Sequence, residues 1–119
     1  MSGLDPEVLR RIVESSPDGV VVVDALATDQ PVVYANPAFN RMTGYPAEEL
    51  LGRNLRLLQG DDREQEALPR LRQAIRAGES CRVLIRNYRK DGTLFWNEVA
   101  IQPLKNPQGQ VTHFVGYHR

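Results

Sequence analysis

The chain has 119 residues, 41% hydrophobic and 25% charged, which suits one soluble globular domain with a core of its own. Fifteen basic residues balance fifteen acidic ones, excluding a net field that would attract nucleic acid or an anionic membrane. No apolar run approaches the roughly 20 residues of a membrane span and no signal-peptide pattern opens the chain, while the one cysteine, Cys81, has no internal partner; a reduced, cytoplasmic setting is expected.

Leu4 to Glu14 reads as a short helix, with Asp5 as N-cap, Pro6 in the first helical position and Leu4 placed to staple onto Leu9. Its stripe of Val8, Leu9, Ile12 and Val13 must cover something apolar. Ser15 to Gly19 breaks the chain before a buried β-branched strand, Val20 to Asp24. Ala25 to Pro31 is a loop and Val32 to Ala35 a second strand. Asn36-Pro37 opens a helix ended by Gly44, and Pro46 opens another turn ended by Gly52. Asp61-Asp62 is expected to cap a longer helix running to about Arg76 and bent at Pro69, with Gly78 ending it. Three strands follow, Cys81 to Arg89, Leu94 to Leu104 and Gln110 to His118, joined by the turns at Asp91-Gly92 and Asn106 to Gly109.

Two strands, a helical middle and a three-strand meander make an α+β domain, an antiparallel sheet with short helices on one face. The order resembles the PAS fold, with a helical cap over residues 1–16 and a core domain over 17–119. Strand alternation groups Val83, Ile85 and Asn87 on one face, and likewise Asn97, Val99 and Ile101, and Phe114, Gly116 and His118. Each set joins apolar residues to a polar group, as a mostly apolar ligand pocket requires. Asparagine is depleted in strands, so Asn87 and Asn97 are poor choices for purely structural positions.

The most specific segment is Gly52-Arg53-Asn54-Leu55-Arg56-Leu57-Leu58-Gln59-Gly60, supported by Asn87 to Gly92, Phe95-Trp96-Asn97 and Phe114-Val115-Gly116. In this order the four pieces resemble the light-oxygen-voltage (LOV) family, in which the first reads GRNCRFLQG. The resemblance implies a bound flavin, and an FMN site drawn from Asn54, Leu55, Arg56, Leu58, Gln59, Leu68, Leu71, Arg72, Ile75, Ile85, Asn87, Asn97, Val99, Ile101, Phe114, Gly116 and His118. By resemblance, Asn87 and Asn97 hold the pyrimidine edge, Asn54 and Gln59 reach the ring edge and ribityl chain, and Arg56 and Arg72 hold the phosphate. Side-chain amides offer donor and acceptor together, and guanidinium forks bind phosphate bidentately.

Two positions depart from the family. Leu55 stands where the photochemical cysteine belongs, and leucine has no nucleophile. Cys81 lies six strand steps from Asn87, roughly 20 Å, too far to substitute; it reads as a small, inert hydrophobe. His118 stands where the family has glutamine near flavin N5 and O4; it either meets the ligand, where a protonated imidazole would favour a reduced anionic flavin, or frays into solvent at the chain end. The expected function is an FMN-binding sensor acting by photoreduction, redox state or fluorescence. Trp96 and the tyrosines are candidate electron donors, but they read first as ordinary packing residues, and Trp96 by parity points away from Asn97. Alternatives are a flavin-based fluorescent reporter and an apo PAS dimerisation module.

No nucleophile with a paired base, P-loop or convincing carboxylate pair suggests an enzyme, and His113 and His118, on opposite strand faces, suggest no metal site. The outward sheet positions, Leu84, Tyr88, Trp96, Ala100, Val115 and Tyr117, form an apolar face that the N-terminal helix or a second copy should cover. A homodimer through that face and helix is expected. The resemblance also implies an effector domain outside this chain.

Overall fold

A computed structural model describes residues 3–119. Helix α1 spans Pro6–Ser15, with Asp5 capping it through an Oδ1 that accepts from the Glu7 N–H at 2.8 Å. Strands β1 (Gly19–Asp24) and β2 (Val32–Ala35) follow, then α2 (Pro37–Thr43), α3 (Ala47–Leu50), a 3₁₀ turn over Leu55–Gln59, and α4 (Leu68–Ala77). Strands β3 (Cys81–Tyr88), β4 (Leu94–Lys105) and β5 (Val111–His118) complete one antiparallel five-stranded sheet in the order β2-β1-β5-β4-β3. This is the expected α+β architecture, and the C-terminal strand lies at the centre of the sheet.

Asn36 joins the two halves of this arrangement. Its side chain is fully buried: Oδ1 accepts from the backbone N–H of Val20 (2.8 Å) and Phe39 (3.0 Å), while Nδ2 donates to the carbonyls of Val13 (2.9 Å) and Asp18 (3.0 Å). One amide thus caps α2 and ties the ends of α1 and β1 to it. Two apolar clusters fill the inner side of the sheet. Leu68 and Ala74 of α4 pack on Val83, Ile85, Val99, Ile101 and Phe114; Phe39, Leu50 and Leu58 pack on Val21 and Val32.

Three expectations are corrected. The helix expected from Asp61-Asp62 begins only at Leu68, with Pro69 in its first turn, where a missing N–H costs nothing. Residues 61–67 serve the free edge of β3 instead. Asp62 pairs with the Arg86 guanidinium and accepts from the Tyr88 hydroxyl at 2.7 Å, and Gln65 bonds the backbone N–H and carbonyl of Arg86 at 2.7 and 2.8 Å. The hydrogen bond from Arg86, reinforced by that from Tyr88, lowers the Asp62 pKa to about 2. On an otherwise open edge the Gln65 amide thus satisfies the backbone of Arg86 as a neighbouring strand would.

Secondly, α1 does not cover the outer sheet. It packs beside α2, and Leu9, Ile12 and Leu4 remain exposed, so neither the apolar stripe nor the Leu4 staple is buried. Leu84, Trp96 and Tyr117 are exposed on the sheet as well. Thirdly, Val115, between Val22 and Gln102 of the flanking strands, is only 7% exposed, so it is not part of the exposed apolar face. Among the described residues no helix is long and apolar enough to cross a membrane.

Candidate functional site

The sheet's inner face and the helical middle enclose a cavity of about 460 Å³, within the usual range for a small-molecule or cofactor site. Parity delivers its floor: Ile85 and Asn87 from β3, Val99 and Ile101 from β4, Phe114, Gly116 and His118 from β5, and Val21 and Val23 from β1. The 3₁₀ turn contributes Asn54, Leu55, Arg56, Leu58 and Gln59, and α4 contributes Leu68, Leu71, Arg72 and Ile75. All the expected site residues except Asn97 line the cavity. Asn97 stands directly behind, bonded to two that do.

That bonding defines the inner end. The Asn97 amide nitrogen donates to Asn87 Oδ1 at 2.8 Å and meets His118 Nδ1 at 2.9 Å. An amide nitrogen only donates, so the network assigns Nδ1 of His118 as acceptor and puts the proton of the neutral ring on Nε2. Burial drives the His118 pKa down to about 4, keeping the ring neutral above mildly acid pH. The alternative of a frayed terminal side chain is thereby corrected: His118 is 4% exposed, edge-on to Phe39 with ring centres 4.8 Å apart. Strand pairing explains this, since Gly19 of β1 and Val99 of β4 flank His118 on either side.

Two buried atoms of this network, Asn97 Oδ1 and His118 Nε2, have no hydrogen-bond partner among the described residues. An unpaired buried acceptor and an unpaired buried donor are costly, about 1–3 kcal/mol each, unless a ligand or water satisfies them. Gly116 makes room for the imidazole. A Cβ there would stand 2.8 Å from His118 Nε2, so any larger residue pushes the imidazole away.

The other end is cationic. Arg56, Arg63, Arg72 and Arg76 all line the cavity and are exposed on their outer sides, and no Asp or Glu is among the lining residues. Of the four, Arg56 alone has a carboxylate partner among the described residues, Asp29, whose two oxygens lie 2.6 Å from its Nη2. The cavity thus joins a mostly apolar lining to buried amide and imidazole groups and to four arginines.

A PAS domain family model matches residues 17–119. A solved LOV domain from the Erythrobacter litoralis EL346 blue-light activated histidine kinase is 38% identical, with a TM-score of 0.82 over 87% of this chain and 95% of that one. The chain belongs to the LOV group of the PAS family. A second LOV structure, studied with a flavin analogue, is 36% identical with a TM-score of 0.86, covering 94% of this chain and 83% of that one. The blue-light photoreceptor of Listeria monocytogenes serovar 1/2a is 38% identical over 95% of this chain. This LOV chain spans 44% of that photoreceptor's length, and less than half the length of several other curated relatives it matches.

Within the LOV domain, the residues at the family's signature positions have unequal duties. Leu55 faces the cavity, whereas Cys81 does not line it and packs, half-buried, against the α4 cluster. Asn54 spends its amide locally: Oδ1 caps the 3₁₀ turn by accepting from the Arg56 N–H (2.9 Å) and Nδ2 donates to the Asp29 carbonyl (2.7 Å). Val21, Val23, Gln30, Arg63 and Arg76 also line the cavity but were not expected. Arg76 could have been found one helical turn beyond Arg72, and the valines once β1 is paired with β5. Gln30 carries no sequence signal; its left-handed φ of 47° brings it to the cavity wall.

Proposed function

We propose that this LOV domain binds FMN and senses light or redox state without a cysteine–flavin bond. The observation that carries the reading is the unsatisfied Nε2 of His118, backed by the buried Asn97, together with four arginines in the lining of one mostly apolar cavity. Bound flavin would supply blue-light absorption and one-electron redox chemistry. The chain's own residues would do the rest. Asn87, Asn97 and His118 would meet the polar edge of the ring, and Leu58, Leu71, Ile75, Ile85 and Val99 would hold its body and exclude water. Arg56 and Arg72 would hold the phosphate, helped by Arg63 and Arg76.

Leu55 offers the flavin a saturated side chain in place of a thiol, so the excited state would leave by fluorescence or electron transfer. We take the domain to work as a sensor rather than a catalyst, in a reducing cytoplasm that would leave Cys81 free. The exposed Leu84, Trp96 and Tyr117 on the outer sheet, with Leu9 and Ile12 on α1, favour a homodimer through these faces, joined in a longer protein to an effector. Mass spectrometry of the pigment released on denaturation tests the ligand. FMN at near one equivalent is expected; no flavin would leave the PAS domain as an apo dimerisation module.

A further inference from the structure

The contact between Asp29 and Arg56 crosses from the loop between β1 and β2 to the cationic end of the cavity. The loop is built to make it. Asp24 Oδ1 accepts from the backbone N–H of Leu26 (2.9 Å) and Ala27 (3.2 Å), turning the chain as it leaves β1. Asp29 and Gln30 then take left-handed backbone angles, with φ of 62° and 47°, the only non-glycine residues to do so among those described. Such angles persist in non-glycine residues only where surrounding contacts hold them. Here the holding contacts are to the 3₁₀ turn: the Asp29 carbonyl takes the Asn54 amide, and its carboxylate takes Arg56.

Arg56 is thus contested. It lines the cavity where an anionic tail must lie, yet its Nη2 is engaged by an anion that the protein supplies. We propose that Asp29 is a specificity-determining residue of this site, competing with a ligand phosphate for Arg56 and so setting how strongly the domain prefers a phosphorylated flavin over riboflavin. The proposal rests on the flavin reading above and deepens it. Arg63, Arg72 and Arg76 have no carboxylate partner among the described residues, so Asp29 tunes a phosphate site that is otherwise uniformly cationic.

The test is a pair of titrations, FMN and riboflavin, into flavin-free wild type and D29N. Asparagine tolerates the left-handed angle and keeps the backbone bond to Asn54, so only the charge changes. Because the pair is half-exposed, the expected gain is modest: FMN binds about three- to fivefold tighter to D29N while riboflavin changes less than about twofold. D29G, which also removes the charge and accepts the backbone angle, should reproduce this and stands in if D29N folds poorly.

In an R56Q background the same D29N substitution should give less than half of that gain. Unchanged FMN-to-riboflavin selectivity in both Asp29 variants, or weaker FMN binding because Asp29 was orienting Arg56, would overturn the proposal. So would a gain that persists in full without Arg56, which would reduce Asp29 to a distant like charge. Failure of wild type to bind either flavin would bring down the flavin reading and this proposal together, an outcome distinct from binding with unaltered selectivity.

Discussion

His118→Gln gives the sharpest test of the inner network. In the folded protein burial holds the imidazole pKa at about 4, against 6.5 for an unperturbed histidine. The unfolded chain therefore binds more protons between those values, and protonation pulls the protein towards unfolding. Stability is complete above about pH 6.5 and is lost as the pH falls towards 4. The gap of 2.5 units corresponds to a limit of about 3 kcal/mol, of which about 2 kcal/mol is already lost at pH 5.

Glutamine keeps a donor and an acceptor but does not titrate. Urea unfolding of the flavin-free proteins at pH 7, 6 and 5 should then show the wild type losing about 2 kcal/mol more than H118Q. The carboxylates largely cancel in this difference, and Asp62, with its pKa at about 2, loses its contribution only below about pH 4. Parallel pH profiles for the two proteins would refute the buried, neutral His118 and with it the donor assigned to Nε2.

Three further outcomes follow from the same geometry. Gly116→Ala places a Cβ 2.8 Å from His118 Nε2 and 3.3 Å from Val21; it should cost about 1–3 kcal/mol in urea unfolding and weaken flavin binding at least several-fold by titration. Asn36→Ala removes four bonds from a fully buried amide and strands the N–H groups of Val20 and Phe39, for a loss of about 3–5 kcal/mol in thermal or urea unfolding; a loss under about 1 kcal/mol would show that water replaces the amide. Leu55→Cys puts a thiol on the cavity wall and should confer reversible loss of the visible flavin band under blue light, which Val83→Cys, away from the cavity lining, should not.

Strand parity carried most of the site. Once β3, β4 and β5 are recognised, alternation alone puts Asn87, Asn97 and His118 on the inner face, and pairing brings them into contact. Tertiary context decided what remained. Nothing local distinguishes Asp62 as a partner of Arg86 from Asp62 as a helix cap, because both uses satisfy a carboxylate; the free edge of β3 settles it. Val115 has outward parity yet is buried while Tyr117 on the same strand is exposed, a difference that alternation alone does not carry. Gln30 and Asp29 reach the cavity region through left-handed backbone angles that no residue-type preference announces. The burial of His118, one position from the last residue, depends on β1 and β4 flanking the chain's final strand.

The central claim is that the domain holds a flavin whose photochemistry does not pass through a thiol. Absorption and fluorescence spectra of the purified protein, taken before and after blue light, test it directly. The account predicts a flavin band in the visible and fluorescence that survives illumination, with bleaching only as a reductant is consumed. A colourless protein, or reversible conversion to the single near-ultraviolet band of a sulfur-bonded flavin, would contradict it.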